Sequence, residues 1–471
     1  MSEILPNPSD DLSSLPWQPV DRWQPWGETL AGQLLSLHPQ TAVGQANALR
    51  QWIQQLGERL SEGDTCLMLP EHSSPGGEVA ELQPGQEFSA ALPATLNHPL
   101  IVVAEHALQR PAPLVMDQGH LYFWRQWHEE QALSTQLLQL ARAPLATVQL
   151  HADQHVSDPH QNQALLQAAL HPVSLITGGP GTGKTYTLVR IVKALLQAQP
   201  TLRIALAAPT GKAAQRMKEA LNKEFQHLDI ATDTIQEAIT VHRLLGMGTG
   251  EPRYHRDNPL PLDMGVIDEC SMLDLALSCR LMDALSVGTR LILLGDANQL
   301  AAVDAGAVLA DLNASPALAA FRTELHTSVR FTADSAIGQL ATAVLQQAPL
   351  AALQEILESA SEIRFQPLDK DTAPAQYRQL WAGYAPLVSA LQTTTEAYRQ
   401  AEGEEQHAIA HQLLPALDHY RVLAAQRRGP FGVERLNAAM GAKMAAAMGE
   451  TSVSRMPWFH GRIVMMTRND Y

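Results

Sequence analysis

The chain has 471 residues, of which 45% are hydrophobic, 17% charged and 5% aromatic, and its formal net charge is −15. This balance is typical of a soluble globular protein, and the length predicts roughly two to four domains. No apolar run reaches the ~18 residues of a membrane span. The polar, acidic residues 1–11 do not have the pattern of a signal peptide. We therefore predict a cytoplasmic protein.

Charge and cysteine content narrow the function classes further. Cys66, Cys270 and Cys279 are far apart and form no Cys-x-x-Cys pair, which argues against zinc, an iron–sulfur cluster or a disulfide framework. The net charge of −15 argues against a free-standing, tight nucleic-acid binder, since such proteins usually present a basic face. The negative charge is compatible with a motor whose partners help to hold the nucleic acid. It is equally compatible with a protein whose charge serves only solubility.

Residues 1–150 carry no recognisable chemistry, and we predict a mainly helical domain that docks on partners. Residues 113–127 predict a β-hairpin with its turn at 117–119. Large apolar residues before it predict the buried face of a helical region: Trp17, Trp23, Trp26, Leu30, Leu34, Leu35, Trp52, Ile53 and Leu56.

After residue 151, short apolar runs alternate with helical stretches. The runs are 173–177, 203–208, 264–268 and 290–294. This alternation predicts an α/β fold, a parallel sheet with helices on both faces. Ligands of such sheets bind at the carboxyl ends of the strands. Residues 335–425, rich in Ala, Leu and Gln, predict helices.

A glycine-rich loop follows the first of these runs and fits the phosphate-binding P-loop pattern. The apolar spacing after residue 185 predicts a helix, so the loop is a strand-to-helix turn whose N–H groups can surround a triphosphate. A glycine-rich turn that binds nothing is the weaker alternative. In the P-loop reading, the lysine neutralises the β/γ-phosphates and the last threonine holds Mg²⁺. The loop residues are Gly178, Gly179, Pro180, Gly181, Thr182, Gly183, Lys184 and Thr185.

Two carboxylates, Asp268 and Glu269, follow the apolar strand residues Val266 and Ile267. Downstream of a P-loop, such a pair suits Mg²⁺ coordination by Asp268 and activation of the attacking water by Glu269. Without the P-loop, the same pair would indicate only a solvated turn.

Three more side chains are candidates for the nucleotide site. Gln299 follows the run 290–294 and can contact both a γ-phosphate and a neighbouring domain. Gln161 lies on a helical stretch, and its amide suits an adenine edge about as well as it suits an exposed helix surface. Arg330 can reach the γ-phosphate from a second domain, although alone it indicates a surface residue.

Candidates for nucleic-acid contact follow the run 203–208. Thr210 and the backbone of Gly211 can meet a phosphate, and Lys212 adds charge. His242 belongs to a second group of polar side chains farther along. Each of these residues would be explained as a helix cap or a surface charge if it stood alone.

The order of these segments resembles the superfamily 1 DNA helicases, and above all the RecD subunits (alpha chains) of bacterial exodeoxyribonuclease V. The resemblance covers roughly residues 100–471 and is strongest over 160–335. The segments that carry it are Gln161, GGPGTGKT (178–185), APTGKAA (208–214), VHRLLG (241–246), VIDECSM (266–272), LLGDANQLAAVDAGAVLADL (293–312) and SVRF (328–331).

The resemblance implies two RecA-like P-loop NTPase domains, residues 151–326 and an incomplete 327–471, with ATP and Mg²⁺ between them. It implies a 5′→3′ helicase acting on single-stranded DNA and duplex ends, with RecB-like and RecC-like partners, in recombinational repair of double-strand breaks. It also implies a role for each candidate residue. Gln161 would contact adenine, Lys184 and Thr185 would bind phosphate and Mg²⁺, and Asp268 and Glu269 would act on the metal and the water. Gln299 and Arg330 would sense the γ-phosphate, and Thr210, Gly211, Lys212 and His242 would contact DNA.

Two departures from the family pattern stand out. Cys270 replaces the usual alanine with another small residue. The family's second RecA-like domain continues past the position of Tyr471, so the sequence predicts a C-terminally truncated chain. Two alternatives remain open. One is a stand-alone RecD2-type helicase, whose helix-hairpin-helix extension has no counterpart here. The other is a truncated ATP-binding subunit without motor activity.

Overall fold

The computed structural model describes residues 26–69, 97–145, 148, 156–228, 235–248, 252–299, 305–327, 335–366, 373–449 and 458–464. These residues fall into two compact units that divide between residues 363 and 364. Among them, no helix is long and apolar enough to cross a membrane. The predicted division at residues 150 and 326 stays a prediction.

The first unit begins with a helical region that also contains a small mixed sheet of order β1-β4-β3-β2, in which only β2 and β3 run parallel. Helices α1 and α2 pack against each other and bury Trp52, Ile53 and Leu56, as predicted. Trp26 departs from the prediction, because it is 48% exposed and lies beside the ring of Phe123. Trp17 and Trp23 lie outside the described residues. The elements are α1 (Trp26–Ser36), α2 (Val43–Glu62), β1 (Cys66–Met68), β2 (Ile101–Val103), α3 (Ala104–Ala107), β3 (Leu114–Asp117), β4 (His120–Phe123) and α4 (Trp124–Ala141).

The predicted hairpin is confirmed. Strands β3 and β4 pair in antiparallel fashion, and Asp117 is the register partner of His120, which leaves a two-residue turn. Both turn residues have positive φ, 47° at Gln118 and 84° at Gly119. Left-handed conformation at both central positions matches the right-handed twist of the flanking strands.

A six-stranded sheet follows, with the order β10-β5-β9-β8-β6-β7, and every neighbouring pair is parallel. The predicted parallel α/β fold is confirmed. Strands β7 and β10 were not predicted, because they are short and lack a long apolar run. The elements are α5 (Pro159–Leu170), β5 (Val173–Gly178), α6 (Lys184–Ala198), β6 (Ile204–Ala208), α7 (Gly211–Leu228), β7 (Ile239–Thr240), α8 (Val241–Leu244), β8 (Met264–Ile267), α9 (Leu275–Asp283), β9 (Arg290–Gly295), α10 (Val308–Ala314) and β10 (Arg322–Leu325), with 3₁₀ turns at Cys270–Met272 and Pro316–Phe321.

Helices cover both faces of this sheet, as predicted. Alternate strand residues point to opposite faces, so Ile292 packs with α5, α6 and α7 whereas Leu291 and Leu293 pack on the other side. That other side is covered by α9 and α10 and also by α4, which buries Leu137 and Leu140 there. The helix that ends the N-terminal region is therefore part of the core of the sheet domain.

Polar contacts also join the N-terminal region to the sheet domain. The N–H of Gly306 donates to the carbonyl of Gly63 at 2.8 Å, just after α2. On α4, the Gln136 side chain donates to the Asp283 carboxylate of α9 at 3.1 Å. These contacts hold the segment after β9 and the end of α9 against the N-terminal region.

The regular elements in the rest of the described chain are helices. The first unit also contains α11 (Ala336–Leu345) and α12 (Leu350–Ser359), and the described part of the second unit contains α13 (Ala373–Ala382), α14 (Ala385–Gln400), α15 (Glu404–Gln412), α16 (Leu414–His419) and α17 (Val433–Ala447). In the second unit, Leu387, Leu391 and Met444 form a small buried cluster. The helices predicted over residues 335–425 are confirmed where the structure describes them.

Replacing Leu137 by Ala tests whether α4 belongs to the core of the sheet domain. Leu137 is 3% exposed, so its truncation leaves a cavity and should lower the free energy of unfolding of the first unit by about 2–5 kcal/mol. Urea unfolding followed by circular dichroism measures the change. Gln139→Ala, at an exposed position of the same helix, is the control and should change the midpoint little.

Candidate functional site: a nucleotide loop at the carboxyl edge of the sheet

The glycine-rich loop joins β5 to α6 in a conformation that its glycines permit. Gly181 and Gly183 have φ of 78° and 83°, in the left-handed region that side chains disfavour. At Gly178 a Cβ atom would lie 2.6 Å from Thr182 Oγ1 and 2.8 Å from the Leu325 carbonyl oxygen. Glycine is therefore required at the strand end, where the loop folds back against β10.

Lys184 is the first residue of α6, and its side chain curls back into the loop. Its Nζ donates to the carbonyl oxygens of Gly178 at 2.6 Å and Gly179 at 3.1 Å. The ammonium group thus lies inside the turn, where the helix N-terminus also favours an anion. Thr185 follows on the first turn and is half-buried.

Gln161 lies against the same loop. Its Nε2 atom is 3.5 Å from the Thr182 carbonyl oxygen, and a Cβ atom on Gly183 would lie 2.7 Å from it. Asp158 sets this position, because its carboxylate caps α5 by accepting from the N–H of Gln161 at 3.0 Å. At the other end of α5, buried Arg290 donates to the His171 carbonyl at 3.0 Å. The structure therefore places Gln161 beside the loop, while its reading of adenine stays a prediction.

The acidic pair follows β8, two strands away from β5 along the sheet. Burial raises the pKa of Asp268 to about 6; the charge of Glu269 adds to the rise, while the N–H of Glu269 and the charge of Lys184 oppose it. Glu269 has φ of 55°, which is strained for a residue with a side chain and often marks a functional position. A desolvated carboxylate that is coupled to Lys184 suits a site that receives a cation together with a nucleotide.

Gln299 lies beyond β9, the strand between β5 and β8. Ser271, in the turn just after the acidic pair, donates its hydroxyl to Gln299 Oε1 at 3.0 Å. Ser271 was not among the predicted site residues, although it stands within the VIDECSM segment, because no sequence pattern shows which side chain it contacts. Gly295 was overlooked as well, and its position at a strand end was the available signal.

The candidates for nucleic-acid contact lie at the ends of β6 and β7, which are neighbours in the sheet. Thr210 Oγ1 accepts from the N–H of Ala213 at 3.2 Å and caps α7. Gly211 and Lys212 are exposed on the first turn of α7, and His242 is exposed on α8. Strands lie ~4.8 Å apart, so three to four strand spacings put these residues ~14–19 Å from the P-loop along the same edge. Arg330 lies outside the described residues.

Comparisons with known proteins show what the chain is similar to. Residues 161–305 match the family model described as an AAA domain. The RecBCD enzyme subunit RecD of Mycobacterium tuberculosis is 39% identical over 375 residues, which are 77% of this chain and 62% of that protein. The chain thus spans less than two thirds of the length of that relative.

Two further similarities are weaker. The ATP-dependent RecD2 DNA helicase of Deinococcus radiodurans is 29% identical over 311 residues, which are 66% of this chain and 36% of that protein. The Pif1 helicase of Candida albicans, a crystal structure, aligns with a TM-score of 0.31 and 21% identity over 45% of this chain and 49% of that one.

A parallel sheet covered on both faces, with a glycine-rich strand-to-helix loop and an acidic strand end at one edge, is the fold of the P-loop nucleoside triphosphatases. Within that class, the chain is similar to the RecD subunits of RecBCD enzymes.

Replacing Gly183 by Ala tests the conformation of the loop. The left-handed φ costs a residue with a side chain roughly 1–2 kcal/mol, and the new Cβ would displace Gln161, so nucleotide affinity should fall by about tenfold or more. Titration with a fluorescent ATP analogue measures the affinity. Gly44→Ala, where a Cβ meets nothing within 4 Å, is the control. Unchanged affinity in Gly183→Ala would contradict the requirement for glycine.

Proposed function

We propose that the chain is the ATP-dependent 5′→3′ DNA helicase and translocase subunit of an exodeoxyribonuclease V (RecBCD-type) complex that repairs double-strand breaks by homologous recombination. One observation supports this most: P-loop, acidic pair and Gln299 meet at one sheet edge in a chain that is 39% identical to a RecD subunit. Because this chain spans 62% of that relative, motor activity, substrates and partners are all part of the proposal.

ATP binds at the loop 178–185 in this proposal. The N–H groups of the loop and Lys184 contact the phosphates, and Gln161 contacts adenine. The Thr185 hydroxyl and the Asp268 carboxylate are hard oxygen donors, which is the ligand type that Mg²⁺ prefers, so they fit this ion. When bound, Mg²⁺ neutralises charge on the phosphates.

Hydrolysis depends on Glu269. Its left-handed backbone turns the chain sharply after Asp268, and the proposal assigns its carboxylate to orient and activate the attacking water. Gln299 and Arg330 contact the γ-phosphate, so that both respond to the difference between ATP and ADP.

Single-stranded DNA contacts Thr210, Gly211, Lys212 and His242. Phosphate contacts of this kind position a strand without reading its sequence, as translocation requires. The net charge of −15 suggests that RecB-like and RecC-like partners supply part of the binding to DNA. The proposal places the whole complex in the cytoplasm.

A RecD2-type helicase is the second candidate, favoured by the 29% identity to the Deinococcus radiodurans protein. Such a protein would unwind DNA without partner subunits. Unwinding of 5′-tailed duplex by this chain alone, at the rate measured with RecB-like and RecC-like subunits present, would favour this candidate.

Lys184→Gln tests the proposed motor activity. In a complex reconstituted with the RecB-like and RecC-like subunits, the single-strand-stimulated ATP hydrolysis and 5′-tailed duplex unwinding that depend on this chain should be lost. The physical reason is that the cation inside the loop is removed. Lys193→Gln on the same helix is the control and should keep both activities. Equal activity in both variants would reject the proposal.

Nucleotide binding without any turnover in the unsubstituted complex would favour an ATP-binding subunit without motor activity.

Glu269→Gln separates hydrolysis from binding. The amide keeps the size of the side chain but removes its basicity, so ATP hydrolysis should slow by roughly 10²- to 10⁴-fold while affinity for ATP changes little. Single-turnover hydrolysis and equilibrium binding measure the two effects. Glu237→Gln, at an exposed residue paired with Lys218, is the control. A hydrolysis rate unchanged in Glu269→Gln would remove Glu269 from the reaction.

A further inference from the structure

One side-chain hydrogen bond joins the turn after the acidic pair to the segment after β9. Ser271 Oγ lies 3.0 Å from Gln299 Oε1. Ser271 is only 5% exposed, whereas Gln299 is exposed. A buried, well-held hydroxyl therefore contacts a side chain that is otherwise open to solvent.

The close approach of two backbones makes this contact possible. Strands β8 and β9 pair with Ile267 opposite Leu293, and the 3₁₀ turn Cys270–Met272 then crosses over the end of β9 at Gly295. A Cβ atom at Gly295 would lie 3.2 Å from the nitrogen of Cys270 and 3.3 Å from that of Ser271. Because Gly295 has no side chain, the hydroxyl of Ser271 can reach the segment beyond the strand.

In the structure, the oxygen end of the amide takes this hydrogen bond, because the Ser271 hydroxyl donates to Oε1 of Gln299. A serine hydroxyl can donate or accept, and a glutamine amide has an accepting oxygen and a donating nitrogen. When Ser271 donates to Oε1, the Nε2 hydrogens remain for another partner. Phosphate oxygens only accept hydrogen bonds, so this is the orientation in which Gln299 can bind a phosphate.

We propose that Ser271 is a positioning residue that holds the Gln299 amide with its nitrogen toward the γ-phosphate. This inference rests on the proposed function, in which Gln299 contacts that phosphate. Ser271 stands two residues after Glu269, so the same turn carries the group that activates water and the group that orients Gln299. Recognition of the γ-phosphate and hydrolysis are thereby coupled through one short turn.

The test compares affinities for ATPγS and ADP, each with Mg²⁺, by competition against a fluorescent nucleotide. ADP has no γ-phosphate, so only ATPγS depends on the orientation of Gln299. Ser271→Ala should lower the preference for ATPγS over ADP by about 3- to 10-fold, the worth of one hydrogen bond, with ADP affinity unchanged. Ser278→Ala is the matched control, because the Ser278 hydroxyl is also buried and has no hydrogen-bond partner among the described residues. It should keep the preference.

A double-mutant cycle distinguishes positioning from general destabilisation. Gln299→Ala should lower the preference as Ser271→Ala does, and the double variant should lower it no further. Equal effects on ATPγS and ADP, additive losses, or a preference retained in Ser271→Ala would each overturn the inference. If Ser271→Ala does not fold, Ser271→Cys keeps a similar volume and, because a thiol is only a weak donor, should also lower the preference.

The cycle also separates this inference from the function on which it rests. Loss of preference in Gln299→Ala but not in Ser271→Ala rejects the positioning role and leaves the function standing. No preference in the unsubstituted protein, or none lost in Gln299→Ala, rejects the assigned role of Gln299 and the positioning role with it.

Discussion

Burial of the central strands on both faces is the constraint on which the rest of the first unit depends. Every residue of β5 and every residue of β9 is buried, so apolar helices must cover the sheet above and below. Helices α5, α6 and α7 cover one face, whereas α9 and α10 share the other with α4. The N-terminal region is thus joined to the sheet through a common hydrophobic core, and not only through surface contacts.

Parallel strands then place the chemistry of the chain at one edge. The P-loop, the acidic pair and Gln299 follow β5, β8 and β9, which are adjacent in the sheet. The candidates for DNA contact follow β6 and β7, farther along the same edge. This order separates the candidate nucleotide site from the candidates for DNA contact by three to four strand spacings along one edge.

Much of this could be predicted from the sequence where the signals are local. The strand-loop-helix around Lys184 and the hairpin at Gln118 depend on residues close together in the chain, and both are confirmed. The packing of Trp26 and the short strand β10 depend on residues that are distant in the chain. The predicted burial of Trp26 is wrong, and β10 was not predicted. The hydrogen bond between Ser271 and Gln299 joins residues 28 positions apart in sequence, and no spacing rule predicts it.

Local patterns in the chain were enough to identify the chemical groups of the site: a glycine loop with a lysine, a carboxylate pair, a strand-end glutamine, and the alternation that makes a parallel sheet. The strand order, which brings β9 between β5 and β8, and the sharing of α4 with the core of the sheet became known only from the folded structure. The difference lies in how far apart in the chain the interacting residues are. Turn conformation and helix periodicity arise from neighbouring residues, whereas strand order and packing are chosen by burial summed over the whole domain.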